Sequence, residues 1–98
     1  MQRADISKEH LINYLEKTKT ALAKVKISPP EPSFHKKQAE DFYGMAEAYY
    51  NDAQHFFEEG DYVNSFACVN YAHGWLDAGA RLGLFDVGGD DQLFTLSE

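Results

Sequence analysis

The chain has 98 residues, a net charge of −7, and 44% hydrophobic and 14% aromatic residues. This composition predicts one globular domain with a single core. The lone cysteine, Cys68, excludes an intrachain disulfide, and no apolar run reaches the roughly 18 residues that a membrane-spanning helix needs. Because the first residues lack the apolar stretch of a secretory signal, we expect a cytoplasmic protein.

The charges are distributed unevenly along the chain. Residues 1–37 carry eight Lys/Arg and four Asp/Glu, a net charge of +4, whereas residues 38–98 carry Arg81 against twelve acidic residues, a net charge of −11. A basic segment is typical of nucleic-acid binding, but a chain with a pI near 4.9 lacks the basic surface of such a protein. We therefore expect the lysines of the first segment to pair with acidic residues of the later ones, and nucleic acid is not an expected partner.

Residues 7–27 have the pattern of an amphipathic helix. Ser7 is a suitable N-cap, and the apolar positions after it are spaced alternately by four and three residues. These positions are Leu11, Leu15, Thr18, Leu22 and Val25. The spacing predicts one narrow apolar face, with lysines on both sides of it.

A second helix is predicted over residues 33–59. It follows a segment that contains Pro29, Pro30 and Pro32, which cannot continue a helix. Small and aromatic residues alternate along one of its faces: Ala39, Phe42, Ala46, Tyr49, Ala53 and Phe56. Gly60 then supplies a left-handed C-cap and Asp61 the N-cap of the next helix, so the second and third helices should be antiparallel.

The third helix is predicted over residues 62–83. The chain is thus expected to form an all-α, three-helix, up-down-up antiparallel bundle over residues 1–85, followed by a flexible acidic tail over residues 86–98. The third helix has a narrow polar strip, in which Asp77 and Arg81 are four residues apart and can pair.

The apolar surface of the third helix exceeds what two neighbouring helices can cover. Tyr71, Trp75 and Leu82 share one side of this helix, and His73 lies between them in sequence. We expect these four residues to include a face for a partner or a ligand. The expected partner is a second copy of the chain or another protein, bound through this helix and the tail.

Two stretches and the turn between them carry a family resemblance. The YYNDA run at 49–53, the GDY turn at 60–62 and the YAHGWLDAG run at 71–79 resemble a family of short archaeal proteins classed as a domain of unknown function, family 357. The resemblance implies a three-helix bundle in an archaeal cytoplasm and implies no activity. A weaker likeness is to helical domains of prokaryotic defence systems. Their ribonuclease motif, an Arg and a His four residues apart, is missing after Arg81, so no nuclease activity is expected.

Three polar residues of the second helix, Asp52, His55 and Glu59, have a spacing that metal-binding bundles use. They point away from the aromatic face, so a solvated polar surface is the better interpretation and no metal site is expected. Cys68 has no basic neighbour in sequence and is interpreted as a packing residue.

His73 lies among apolar residues, which predicts a core histidine bonded to a tyrosine or to a backbone carbonyl. A pH-sensitive or ligand-facing role is the alternative. No enzyme class and no cofactor are predicted. The leading hypothesis is a noncatalytic interaction or self-association module. The alternative is an accessory protein for a small ligand, nucleotide or RNA, with a pocket that includes His73, the nearby glycines and tyrosines.

Overall fold

The computed structural model describes residues 7–27 and 34–86. These residues form three helices, α1 (Lys8–Lys24), α2 (Phe34–Glu58) and α3 (Tyr62–Arg81), which pack together as the predicted three-helix bundle. Two short strands, β1 (Lys26–Ile27) and β2 (Phe85–Asp86), add a small antiparallel pair. The proline-rich connection and the predicted tail from residue 87 onward lie outside the described residues.

Contacts between the helices show their relative directions. His10 packs near Phe66, and Thr18 is hydrogen-bonded to His73, so residue numbers increase in the same direction along α1 and α3. A tight turn around Gly60 makes α3 antiparallel to α2. The predicted up-down-up arrangement is therefore confirmed.

The first helix is shorter than predicted. Ser7 caps its start as expected, because the Ser7 side chain accepts a hydrogen bond from the His10 N–H at 2.9 Å. The helix ends at Lys24, whereas the sequence predicted about residue 27. Lys26 and Ile27 pair with Asp86 and Phe85, and an extended segment that forms a strand pair cannot continue the helix. Asp86 consequently belongs to β2 and not to the tail, to which the sequence assigned it.

The turn between α2 and α3 has the predicted capping residues. Gly60 has a φ of 81°, a left-handed conformation that favours glycine. The Gly60 N–H donates to the Phe57 carbonyl at 3.0 Å and the Asp61 N–H donates to the Phe56 carbonyl at 2.9 Å, which is a Schellman arrangement. The Asp61 side chain then accepts from the Asn64 N–H at 3.2 Å and caps α3.

Small residues of α2 bring α3 close. Ala39, Ala46 and Ala53 are fully buried, and α2 packs more extensively against α3 than against α1. The aromatic residues predicted for the same face, such as Phe42 and Tyr49, are half-buried at its edge. Among the described residues, the buried apolar side chains are Leu11, Leu15, Ala21 and Leu22 of α1, Ala39, Ala46, Tyr50 and Ala53 of α2, Val69, Ala72 and Leu76 of α3, and Leu84 and Phe85 after it.

A second left-handed glycine turns the chain back at the end of α3. Gly83 has a φ of 78°, and the Leu84 N–H donates to the Gly79 carbonyl at 2.8 Å. This reversal places the ring of Phe85 against the backbone of Gly79, where no Cβ stands in the way. The same Phe85 ring also meets Tyr43 of α2 edge-on at 6.5 Å, so it joins the end of α3 to α2.

Replacement of two glycines of α3 by alanine should change the free energy of unfolding in opposite directions. A Cβ on Gly79 would overlap the ring of Phe85, so Gly79→Ala should lower the free energy of unfolding by about 1–3 kcal/mol. A Cβ on Gly74 would meet no atom within 4 Å, so Gly74→Ala should raise it by up to about 1 kcal/mol through helix propensity. Urea unfolding followed by circular dichroism measures both values.

A double-mutant cycle controls for the origin of the Gly79 effect. If the ring causes it, Gly79→Ala should cost much less in a Phe85→Ala background than in the wild-type chain. An equal cost in both backgrounds would show that Phe85 does not set the requirement for glycine.

Candidate functional site

A buried polar contact joins α1 to α3. Thr18 is fully buried and His73 is only 6% exposed. Thr18 Oγ1 and His73 Nδ1 are hydrogen-bonded at 3.2 Å, and the tautomer of the imidazole decides which of them donates. On the other side of the ring, His73 Nε2 lies 3.8 Å from Asp77 Oδ1. Polar groups on both sides of the ring offset the cost of burying it.

The structure therefore makes His73 a core residue, as the sequence predicted, but with a different hydrogen-bond partner. The predicted partner was a tyrosine or a backbone carbonyl, whereas the observed hydrogen bond is to Thr18. The tyrosine beside it, Tyr14, makes a ring contact with a centroid distance of 5.8 Å. Because it is buried, His73 does not share the exposed surface of Tyr71 and Leu82, with which the sequence grouped it.

The other three predicted face residues do lie on one side of α3. Tyr71 is 63% exposed, Leu82 is 66% exposed and Trp75 is half-buried. Three small residues lie on the same side: Ala67 before Tyr71, and Gly74 and Ala78 between the large residues. At about 100° per residue these six positions fall within roughly 100° of helix surface. We refer to these six residues as the outer face of α3.

Aromatic residues of α2 support one edge of the outer face. The ring of Tyr49 lies 5.3 Å from that of Tyr71, and the ring of Phe42 meets Trp75 edge-on at 5.0 Å. These contacts orient Tyr71 and Trp75 and leave much of the helix surface between them open. A shallow concavity of about 360 Å³ remains there, lined by Asn70, Tyr71, Gly74, Trp75 and Ala78.

The outer face carries little polarity. Among the described residues that line the concavity, the polar groups are the amide of Asn70, the hydroxyl of Tyr71 and the indole N–H of Trp75, and none is charged. α3 is also the most apolar of the three described helices, although no described helix combines the length and hydropathy needed to cross a bilayer. The arrangement can bury apolar surface against a partner, and it offers no nucleophile or general base.

The predicted polar pair lies at the border of this face. Asp77 is half-buried beside His73, and Arg81 is exposed in the last turn of α3. The contact of Asp77 with His73 gives this carboxylate a structural position that the sequence did not suggest. Pairing between Asp77 and Arg81 stays a prediction.

The weak metal candidates lie on the exposed surface of α2 and of the turn that follows it. Asp52, His55 and Glu59 are all exposed, and His55 Nε2 lies 3.1 Å from Glu59 Oε2. Within residues 7–27 and 34–86, no group of three or more His, Cys, Asp or Glu side chains is arranged to hold a metal ion. The geometry fits the solvated polar surface that the sequence favoured.

Cys68 is half-buried on α3. Its pKa is raised above the ordinary value of 9.0, chiefly because burial disfavours the thiolate and further because of the charges of Asp52 and Asp61. The thiol form is therefore favoured at neutral pH, which is the opposite of what a nucleophilic cysteine requires.

A groove between α1 and α3 was not anticipated from the sequence. It has a volume of about 430 Å³ and is lined by His10, Asn13, Tyr14, Lys17, Phe66 and Asn70. Within each helix, these residues are three or four positions apart, which the sequence shows. Only the register of α1 on α3 brings the two rows together.

The pocket that the sequence suggested, with His73 and the nearby glycines, is not this groove. Gly79 lies under Phe85, Gly83 caps α3, and Gly74 belongs to the outer face.

Three tyrosines have environments that favour the protonated phenol. The pKa values of Tyr14, Tyr43 and Tyr50 are raised above 10.0, first by burial and then by the charges of Asp77, Glu47 and Glu16 respectively. The Tyr43 hydroxyl donates to the Leu22 carbonyl at 3.2 Å, and that of Tyr50 accepts from the Gln54 amide at 3.0 Å. The Tyr14 hydroxyl remains a donor at neutral pH beside the groove.

Comparison with known proteins connects the chain to one family. The sequence profile of a family described as "Protein of unknown function (DUF357)" matches residues 13–85, which include most of α1 and all of α2 and α3. Searches of curated proteins and of solved structures gave no match.

Removal of the Thr18 hydroxyl should destabilise the bundle. Thr18→Val keeps the shape of the side chain but removes the hydrogen bond to His73, so the free energy of unfolding should fall by about 1–3 kcal/mol. Thr20→Val is the matched control, because the Thr20 hydroxyl donates to the Glu16 carbonyl at an exposed position. Its effect should stay within about 0.5 kcal/mol. Equal losses in urea unfolding would show that the buried hydrogen bond is not important for stability.

Stability should fall in alkaline solution. In the unfolded chain tyrosine ionises near pH 10, while in the folded chain the raised pKa of Tyr14 delays ionisation. The stabilising contribution is present below pH 10 and is lost as the pH rises through the raised pKa. Tyr14→Phe should therefore make the decline in unfolding free energy above pH 10 less steep. An unchanged slope would contradict this assignment of Tyr14.

Proposed function

We propose that this chain, which belongs to the DUF357 family of proteins of unknown function, is a noncatalytic self-association module. The proposal is based on the outer face of α3. Two copies pair through this face. The observation that carries the proposal is an exposed apolar stripe along α3, in which Tyr71, Trp75 and Leu82 alternate with small residues. Large exposed apolar patches are typical of interaction surfaces.

The outer face is complementary to itself. If two α3 helices cross in antiparallel fashion about a two-fold axis between Gly74 and Trp75, each large residue meets a small one. Trp75 then faces Gly74 of the second copy, and Tyr71 faces Ala78. Leu82 faces Ala67 in the same way. Such a pattern fits an isologous interface, in which the same patch serves both partners. For this reason we choose a second copy as the occupant over an unrelated protein.

The charges of the molecule are compatible with this pairing. None of the described residues that line the concavity is charged, so pairing through them desolvates little charge. The net charge of −7 opposes association of two copies at long range, and salt screens that repulsion over about 8–10 Å. Association through an apolar centre should therefore become tighter as ionic strength rises.

Sedimentation equilibrium tests the proposal with surface variants. The wild-type chain should form a dimer, and Leu82→Asp should shift it to monomer because a carboxylate would be buried in the interface. Ile12→Asp is the matched control: it makes the same charge change at an exposed apolar residue of α1 and should remain dimeric. Gly74→Leu should also give monomers, because its side chain is unobstructed in one copy but would meet Trp75 of the other.

The oligomeric state of a chain truncated after Asp86 distinguishes two cases: a second copy covers the outer face of α3, or the tail of the same chain covers it. The truncated chain should dimerise as the full chain does. A full chain that is monomeric, with a truncated chain that dimerises, would assign the outer face to the tail and contradict the proposal. Monomers in both forms at high micromolar concentration would also contradict it, as would equal effects of Leu82→Asp and Ile12→Asp.

A further inference from the structure

The groove between α1 and α3 has an aromatic wall. The Tyr14 ring lies 5.5 Å from that of Phe66, and the ring of His10 lies 5.7 Å from Phe66, with tilts of about 40° between neighbours. Tyr14 and Phe66 are half-buried, so each keeps part of its surface open to the groove. A flat aromatic ring of a ligand can stack on partly exposed side chains of this kind.

One cation lies beside this wall. Lys17 Nζ is 6.0 Å from the centre of the Tyr14 ring. Lys17 is exposed, and none of the described residues forms an ion pair with it. Lys17 lies on α1, in the basic first part of the chain, whereas the rest of the chain is strongly acidic. The site therefore offers a local positive charge for an anionic group.

Two amides complete the site. Asn13 of α1 and Asn70 of α3 both line the groove. An amide has two donor hydrogens and an acceptor oxygen, so it can pair with the mixed donor and acceptor edge of a heteroaromatic ring. A few polar groups around an apolar wall are typical of small-molecule sites, and a volume of about 430 Å³ lies within the range of such sites.

We propose that this groove binds a mononucleotide, with its base against Tyr14 and Phe66 and its phosphate at Lys17. Each part of the site corresponds to one part of this ligand. The aromatic wall takes the base, the amides of Asn13 and Asn70 contact its polar edge, and the ammonium neutralises the phosphate. A nucleic-acid strand would need a row of cations along the surface, whereas Lys17 is the only lysine or arginine among the described residues that line the groove. A small ligand fits this charge distribution better.

This proposal does not depend on self-association. Tyr14 and Lys17 lie on α1, and the outer face lies on α3. Asn70 lines both the groove and the concavity of the outer face, so it is left unchanged in the tests. The monomeric variant Leu82→Asp should bind the nucleotide as the wild-type chain does, which separates failure of one proposal from failure of the other.

Isothermal titration calorimetry with AMP tests the site, with adenosine and ribose 5-phosphate as the partial ligands. AMP should bind more tightly than either partial ligand. Lys17→Gln should weaken AMP binding about tenfold, because a charge-assisted contact is lost. Phe66→Leu should weaken AMP and adenosine by a similar factor, since it removes a ring against which the base stacks. Circular dichroism establishes that each variant is folded.

Lys19→Gln is the matched control, because Lys19 is exposed on the same helix and lines a different concavity. It should leave AMP affinity within about twofold of wild type. Equal weakening by Lys17→Gln and Lys19→Gln would show unspecific attraction of anions and overturn the proposal. Absence of AMP binding at millimolar concentration would overturn it, as would ribose 5-phosphate binding as tightly as AMP. Binding of a single-stranded oligonucleotide without binding of AMP would overturn it in favour of a nucleic-acid surface.

Discussion

The hydrogen bond between Thr18 and His73 determines how α1 lies on α3. Thr18 lies in a face otherwise made of leucine, alanine and valine, and its hydroxyl is hydrogen-bonded across the interface to the buried imidazole of His73. A shift of α1 by one turn would break this hydrogen bond and place a polar edge of the imidazole against apolar side chains of α1, at a cost of about 1–3 kcal/mol. Apolar side chains tolerate such shifts more easily, so this contact selects one register among several similar ones.

The remaining features of the α1–α3 side follow from that register. Once Thr18 lies opposite His73, Tyr14 and His10 of α1 lie beside Phe66 of α3, one and two turns earlier. The groove and its aromatic wall therefore result from the same alignment as the buried hydrogen bond. At the other end of α1, the alignment brings Lys26 and Ile27 to the segment that returns after Gly83.

The α2–α3 side is organised by the size of side chains. Fully buried alanines on α2 and a Schellman turn at Gly60 hold α3 close, and the buried Ser65 hydroxyl donates to the Ala53 carbonyl at 2.7 Å. Because α3 contacts α2 through one side and α1 through another, its third side has no covering helix among the described residues. Small residues on that side permit close approach of another helix, as they do toward α2. Two sides of α3 thus stabilise the bundle, and the third is the side through which we propose self-association.

The sequence by itself determined the class of fold, the order and approximate extent of the helices, and the capped turn at Gly60 and Asp61. These features depend on local spacing and on backbone preferences, which a single sequence contains. It also identified Tyr71, Trp75 and Leu82 as one side of α3, because helix periodicity alone relates them. Tertiary structure decided which residues of different helices meet. Thr18 as the partner of His73, Phe85 as the ring over Gly79, and the groove between Tyr14 and Phe66 all join positions that are distant in sequence. Their contacts depend on interhelix register, and many registers bury the same apolar residues.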